Sequence, residues 1–406
     1  MTYVPTLSEL DRYAELLVGW ALGGGAGIAA GDVVAVSCEE SAKPLYAAAC
    51  RAIWRAGGHV ISQYSPDNTP ELNIAREFFE IAGEAQLDFF AERHMRGLIE
   101  DADHLLRIHA DSHPRATAGI DPAALIRNRR ARRRLNEWLD AKESEGRLTW
   151  TIALYGTEAM AAEAQMSLEE YWSEISRACF LDELDPVARW RQIGDQIAAH
   201  CAALNALPIE QVHVEGADVD LRLTIGERRR WLGGGGRNLP SFEVFTSPDW
   251  RGTEGRIRFS EPLYVYGSLI TGAELEFRDG VVVASRAEQN EELLREMIRS
   301  ENADKIGEFS LTDARLSPIR RFMANTLFDE NTGGPFGNTH IAVGQAIHAA
   351  YDGDPGAVGE DEWRRLGFNK SAIHTDIVST TDRTVTATLA GGGAQVIYAG
   401  GQFTVG

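Results

Sequence analysis

The chain has 406 residues, 44% of them apolar and 25% charged, the balance of an ordinary globular protein with capacity for two or three domains. Acidic residues outnumber basic ones by 60 to 40, and the formal charge of −20 repels phosphate backbones and anionic membrane surfaces, which argues against nucleic acid as a partner. No stretch approaches the roughly 20 apolar residues that a bilayer span requires, and the amino terminus lacks a basic leader, so a non-exported cytoplasmic protein is expected, with no membrane partner.

In chain order, an amphipathic helix is predicted over about residues 7–22, followed by the Gly-rich GGGAGIAAGD. The apolar run DVVAVSC (32–38), the helical AKPLYAAACRAIWRAGG (42–58) and the strand HVISQY (59–64) form a strand, helix, strand unit, which implies parallel pairing. The glycines precede the first strand instead of joining strand to helix, the wrong order for a dinucleotide or phosphate loop. Strand-like HLLRIHA and LTWTIALYG continue the alternation. Between them, RNRRARRRLNEW (127–138) sits on a helical pattern with Ile126, Leu135 and Trp138 as apolar anchors. That reads as a solvated helix face or a subunit contact. A long amphipathic helix ending near 206 closes an α/β domain expected over residues 1–205. Cys38, Cys50, Cys179 and Cys201 are scattered, so reduced, buried thiols are expected, with neither a disulfide framework nor a structural zinc.

Beyond residue 206 the pattern changes to period-2 alternation in VHVEGADVDLRLTI, GRIRFSEPLYVYG, AELEFRDGVVVAS and VTATLAGGGAQVIYAGGQFTV. This predicts a mixed, largely antiparallel sheet domain over 206–406, interrupted by one helix at EQNEELLREMIRSE. Several titratable residues in it occupy apolar settings. Glu243 lies in NLPSFEVFTSP, Glu308 follows Gly307 in DKIGEFSL, and Asp329, Glu330 and His340 surround a Gly-rich turn in NTLFDENTGGPFGNTHIAVG. In SAIHTDIVS, His374 and Asp376 are two apart, which on a strand puts them on one face. Each alone has a structural explanation, such as a capped turn or a His bonded to a neighbouring Asp. Together, carboxylates and imidazoles in apolar segments are costly to bury unless paired or bound to a cation. Oxygen and nitrogen donors without thiolate suit zinc, manganese, cobalt or iron(II), and suit calcium poorly.

These four motifs, in this order, resemble those of metallo-aminopeptidases of the thermophilic aminopeptidase T and aminopeptidase S type. The resemblance covers nearly the whole chain and is strongest over 235–380. It implies an α/β N-terminal domain joined to an α+β, largely antiparallel, metal-binding C-terminal domain. It also implies a homodimeric exopeptidase acting on short peptides with a free amino terminus, with two divalent ions (zinc, cobalt, manganese or magnesium) per site. By the same resemblance the metal ligands are Glu243, Glu308, Glu330, His340, His374 and Asp376, with Glu308 bridging. The chain departs from the family at Ile347, where a tyrosine is expected near the reacting carbonyl. If that segment is helical, Tyr351 lies one turn on and His348 adjoins it, which makes these two the candidate acid–base residues. An alternative is a mononuclear iron(II) ring-cleaving dioxygenase of the dihydroxypyridine type, using His340, His374 and Asp376 as a facial triad. A metal-stabilised binding protein is the non-enzymatic reading.

Overall fold

The computed structural model describes residues 3–265 and 267–406. They divide into two compact units, Met1–Arg191 with Gly235–Pro240, and Gln192–Gly234 with Ser241–Gly406. The chain passes from the first to the second within the helix Pro186–Asn205.

The first unit is built on four parallel strands, β1 (Val33–Glu39), β2 (His59–Ser65), β3 (His104–His109) and β4 (Thr149–Leu154), in the order β2-β1-β3-β4. Val34, Ala35 and Val36 of β1 are buried in succession, as a central parallel strand covered on both faces requires. The helix Lys43–Arg55 supplies the predicted β1-to-β2 crossover. The opening helix is α-helical over Leu7–Leu16 and continues as a π-helical turn over Leu17–Ala21. The basic run is two helices, Pro122–Ala131 and Arg133–Ser144, broken at Arg132. Trp138 packs on Phe90 under Arg96, but Ile126 is 46% exposed. Helical spacing identifies a face without saying what covers it. Arg127 and Arg134 are spent on Asp88, Glu84 and Glu92 of the same unit. All four cysteines are free and buried.

The second unit carries the antiparallel strands. One eight-stranded sheet contains β5 (Ile209–Gly216), β6 (Val219–Thr224), β8 (Glu254–Arg258), β11 (Glu274–Arg278), β12 (Val281–Arg286), β16 (Arg383–Leu389), β17 (Gly393–Ala399) and β18 (Gln402–Phe403). A hairpin pairs β9 (Leu263–Val265) with β10 (Ser268–Ile270). Tyr266, in the same predicted stretch, lies outside the described residues. A second sheet has the order β15-β14-β13-β7, from β7 (Glu243–Thr246), β13 (Ile306–Thr312), β14 (Asn338–Gly344) and β15 (His374–Ser379). The predicted helix is Glu291–Arg299, and two short helices accompany it, Thr326–Asp329 and Glu360–Arg365. Among the described residues no helix is long and apolar enough to cross a membrane.

Candidate metal centre

The register of the second sheet assembles the site. Directly paired antiparallel residues share a face, and the pairs Thr312 with Glu243, Glu308 with Ala342, Ser310 with His340, Ala342 with Asp376 and Gly344 with His374 bring five candidates to one face. The other face carries Val244, Phe309, Leu311, Ile341, Val343 and Ile377, all buried, so one side of the sheet anchors the core while the other is left for chemistry. Small residues at Ser310, Ala342 and Gly344 leave room between the ligating side chains. A bulge in β13 between Ile306 and Glu308 sets Ile306 beside Val343 on the core face, while Glu308 keeps the face of Ser310 and Thr312. Gly307 makes it possible, because a Cβ there would stand 2.3 Å from the Gln345 carbonyl oxygen.

The sixth candidate, Glu330, caps the short helix Thr326–Asp329 and shares a side-chain hydrogen bond with Glu243. Asp329 is spent differently: its carboxylate accepts the backbone N–H groups of Met323 and Asn325 and so holds the turn together. Asn338 donates to the carbonyls of Asp329 and Glu330. Asn331 donates to Glu243 and accepts from the Phe242 backbone. Neither asparagine was singled out from sequence, where Asn in a Gly-rich stretch reads as a turn former.

Glu308 lies between the two imidazoles. Its Oε1 is 3.7 Å from His340 Nε2 and its Oε2 is 3.3 Å from His374 Nε2. Asp376 Oδ1 is 4.0 Å from His340 Nε2 and 3.4 Å from His374 Nε2. His374 Nδ1 is 2.8 Å from the Gln345 carbonyl, a bond that fixes the ring and aims Nε2 at the carboxylates. Two sets of possible ligand atoms result, Glu243 with Glu308 and His340, and Glu308 with His374 and Asp376. Glu243, Glu308, Glu330 and His340 are buried, whereas His374 keeps 31% of its side chain exposed and is the side on which the cluster opens.

The electrostatics are those of a cluster short of positive charge. Burial pushes the Glu243 carboxyl up to about 7, His340 pulling it down and the carboxylates of Glu308 and Asp376 raising it further. Burial, with the carboxylates of Glu243, Asp376 and Glu308 close by, holds Glu330 well above the usual carboxylate range. His340 is disfavoured as a cation by burial, yet Glu308, Glu243 and Asp376 together raise it to about 9. His374 is likewise raised well above 6.5, against its burial, by Asp376 and Glu308. Asp376 is lowered despite burial because it faces both imidazoles. Among the described residues, Glu243, Glu308 and Asp376 have no Lys or Arg partner, and Ser310 Oγ, Thr312 Oγ1 and His340 Nδ1 are buried without a hydrogen-bond partner. Uncompensated buried carboxylates, two imidazoles and orphaned polar atoms on one face fit a divalent cation and its hydration.

His348 and Tyr351 pack among aromatic rings. The segment after β14 is a single 3-10 turn, His348–Ala350, with Tyr351 already extended, so the one-turn spacing expected of a helix does not arise. The His348 ring stacks on Trp363 at 4.1 Å, and Tyr351 packs edge-on to Trp363 and Phe368. Burial lowers the His348 imidazole to about 4.

A chain with this face of carboxylates and imidazoles has close parallels. Residues 6–403 match the family model described as thermophilic metalloprotease (M29). Aminopeptidase T of Thermus aquaticus is 32% identical over 326 residues, 75% of this chain and 77% of that protein. Aminopeptidase T of Thermus thermophilus is 30% identical over 391 residues, 91% of each. The solved structure of wild-type AmpT from Thermus thermophilus superposes with a TM-score of 0.81 at 26% identity, covering 98% of this chain and 99% of that one. The arrangement of a parallel α/β unit followed by a largely antiparallel one is thus shared with AmpT, and nothing supports the ring-cleaving dioxygenase alternative. From end to end, the chain belongs to the M29 family of thermophilic metalloproteases.

Proposed function

We propose that the chain is an aminopeptidase that holds two divalent ions and releases single residues from the amino end of short peptides. The observation that carries this reading is the double cluster on one sheet face, in which Glu308 turns one oxygen to each imidazole. In this reading Glu308 would contribute to both ions, Glu243, Glu330 and His340 would hold one, and His374 and Asp376 would hold the other. Six ligands, with Glu308 shared, would be donors enough to hold two ions. When bound, the ions supply Lewis acidity toward a peptide carbonyl and lower the pKa of water. The residues themselves orient and attract: the Gln345 carbonyl holds His374 by its Nδ1, and the acidic face draws a substrate's free amino group while repelling its carboxylate end. Zinc, cobalt, manganese and magnesium all remain compatible with this donor set.

Relatives named aminopeptidase T support the exopeptidase reading over an endopeptidase one. A homodimer, a cytoplasmic location and a functional division of the chain into 1–205 and 206–406 belong to the same proposal. His348 and Tyr351 were the acid–base candidates, and their aromatic packing favours a supporting role. The test is hydrolysis of a short peptide with a free α-amine beside the same peptide acetylated. Release of the first residue from the free peptide alone is expected. Equal cleavage of both, or internal cleavage, would refute the exopeptidase assignment.

A further inference from the structure

Asn331 follows Glu330 and is completely buried. Its side-chain Oδ1 accepts the Phe242 backbone N–H at 2.6 Å, while Nδ2 donates to Glu243 Oε1 at 3.1 Å and to the Leu327 carbonyl at 3.0 Å. Its own carbonyl accepts the Ser317 hydroxyl. The amide orientation follows from these partners, since Phe242 N–H needs an acceptor and the two oxygens need donors. One planar group therefore grips the residue before Glu243, the Glu243 carboxylate, and the helix that Glu330 caps.

We infer that Asn331 is a positioning residue of the metal centre, which engages Oε1 of Glu243 so that Oε2 is the oxygen presented to an ion. The inference rests on the proposed function only through Glu243 as a ligand. Without the Asn331 donor, the Glu243 side chain is left to its hydrogen bond with Glu330 and to carboxylate and imidazole neighbours, whose arrangement changes with the ion. An aspartate in its place keeps the Phe242 contact and sets a carboxylate oxygen against Glu243 Oε1. A leucine of similar size removes both contacts.

The experiment is a zinc titration of metal-free parent, Asn331→Asp and Asn331→Leu in competition with a chromophoric chelator, alongside melts of each metal-free chain. Both variants are expected to bind zinc roughly 10- to 100-fold more weakly, the range for residues that orient metal ligands. The loss should be larger than any change in kcat at saturating zinc, a split that a purely structural role does not produce. Affinity within about twofold of the parent in a folded variant would overturn the inference, as would a parent that binds no zinc. Should neither variant fold, the parent labelled with 15N-asparagine is read instead. The Asn331 side-chain amide resonance is expected to shift on adding zinc, and an unmoved resonance overturns the assignment. Only the kcat comparison uses a peptide, and the zinc titrations, melts and resonances do not, so failure of the aminopeptidase reading is scored separately, by intact peptides in the presence of bound zinc.

Discussion

Stripping the metal should make the protein less stable as pH rises, and the cluster allows the size of the effect to be worked out. Glu243 moves from an ordinary 4.5 to about 7, and His340 from 6.5 to about 9. Both folded-state values lie above the unfolded ones. The stabilisation is therefore complete below pH 4.5 for Glu243 and below 6.5 for His340, and it is lost as pH climbs through about 7 and about 9. At about 1.4 kcal/mol per pH unit, each group contributes roughly 3 kcal/mol, and the two together somewhat less than the sum because they interact. Asp376, lowered in the folded chain, adds nothing across this window because its contribution is already complete above its unfolded value. With about 2–4 °C of melting temperature per kcal/mol for a unit of this size, the metal-free Tm should fall by about 10 °C between pH 5 and pH 9. A bound ion reverses the trend, since ligands must shed their protons to bind it. The Tm difference between loaded and metal-free protein is the clean quantity, because Asp329, which burial pushes up to about 8, contributes to both. Scanning calorimetry at pH 5, 7 and 9, with zinc and with a chelator, measures it. A metal-free Tm that is flat or rises with pH, or a difference that narrows, would refute the electrostatic reasoning.

His374→Ala and Glu308→Gln should each abolish turnover, by more than the roughly 100-fold upper range of changes behind the ligands, while circular dichroism stays native; a variant with parental kcat removes that residue from the ligand set. Activity should fall as pH drops below about 9, where protons begin to compete with the ion for the His340 lone pair, and a rate that is level from pH 9 down to pH 5 contradicts this. Gly307→Ala should destabilise by about 2–3 kcal/mol or more in urea unfolding, because the added Cβ meets the Gln345 carbonyl; an unchanged midpoint means the close approach of the Gln345 carbonyl does not demand glycine there. Tyr351→Phe should alter kcat less than about threefold, under 1 kcal/mol in the barrier, and a large loss would return Tyr351 to the reacting groups.

The period-2 runs after residue 206 made an antiparallel unit legible, and the strand, helix, strand order of residues 32–64 made the parallel one so. The chemistry was legible for a related reason: Glu243, Glu308 and His340 interrupt apolar strands, where an ionisable group needs a partner. What sequence did not reveal was register. Glu308 shares the face of His340 because it pairs with Ala342 in step with Ser310 and His340, a pairing the strand pattern does not state, and the Gly before it signals a bulge without fixing which side chains it realigns. Asn331 and Asn338 escaped notice because their value lies in partners distant in sequence, Phe242 and Glu243 for one and the Glu330 turn for the other. His348 and Tyr351 were set on a helix that the chain does not form, since only three residues there close a turn.

The central claim is a pair of divalent ions on one sheet face, and elemental analysis of the protein purified without added metal tests it most directly. Two divalent ions per chain, neither of them lost when His348 is changed to alanine, are expected. A single iron per chain, or no metal above background in an active preparation, would contradict the account.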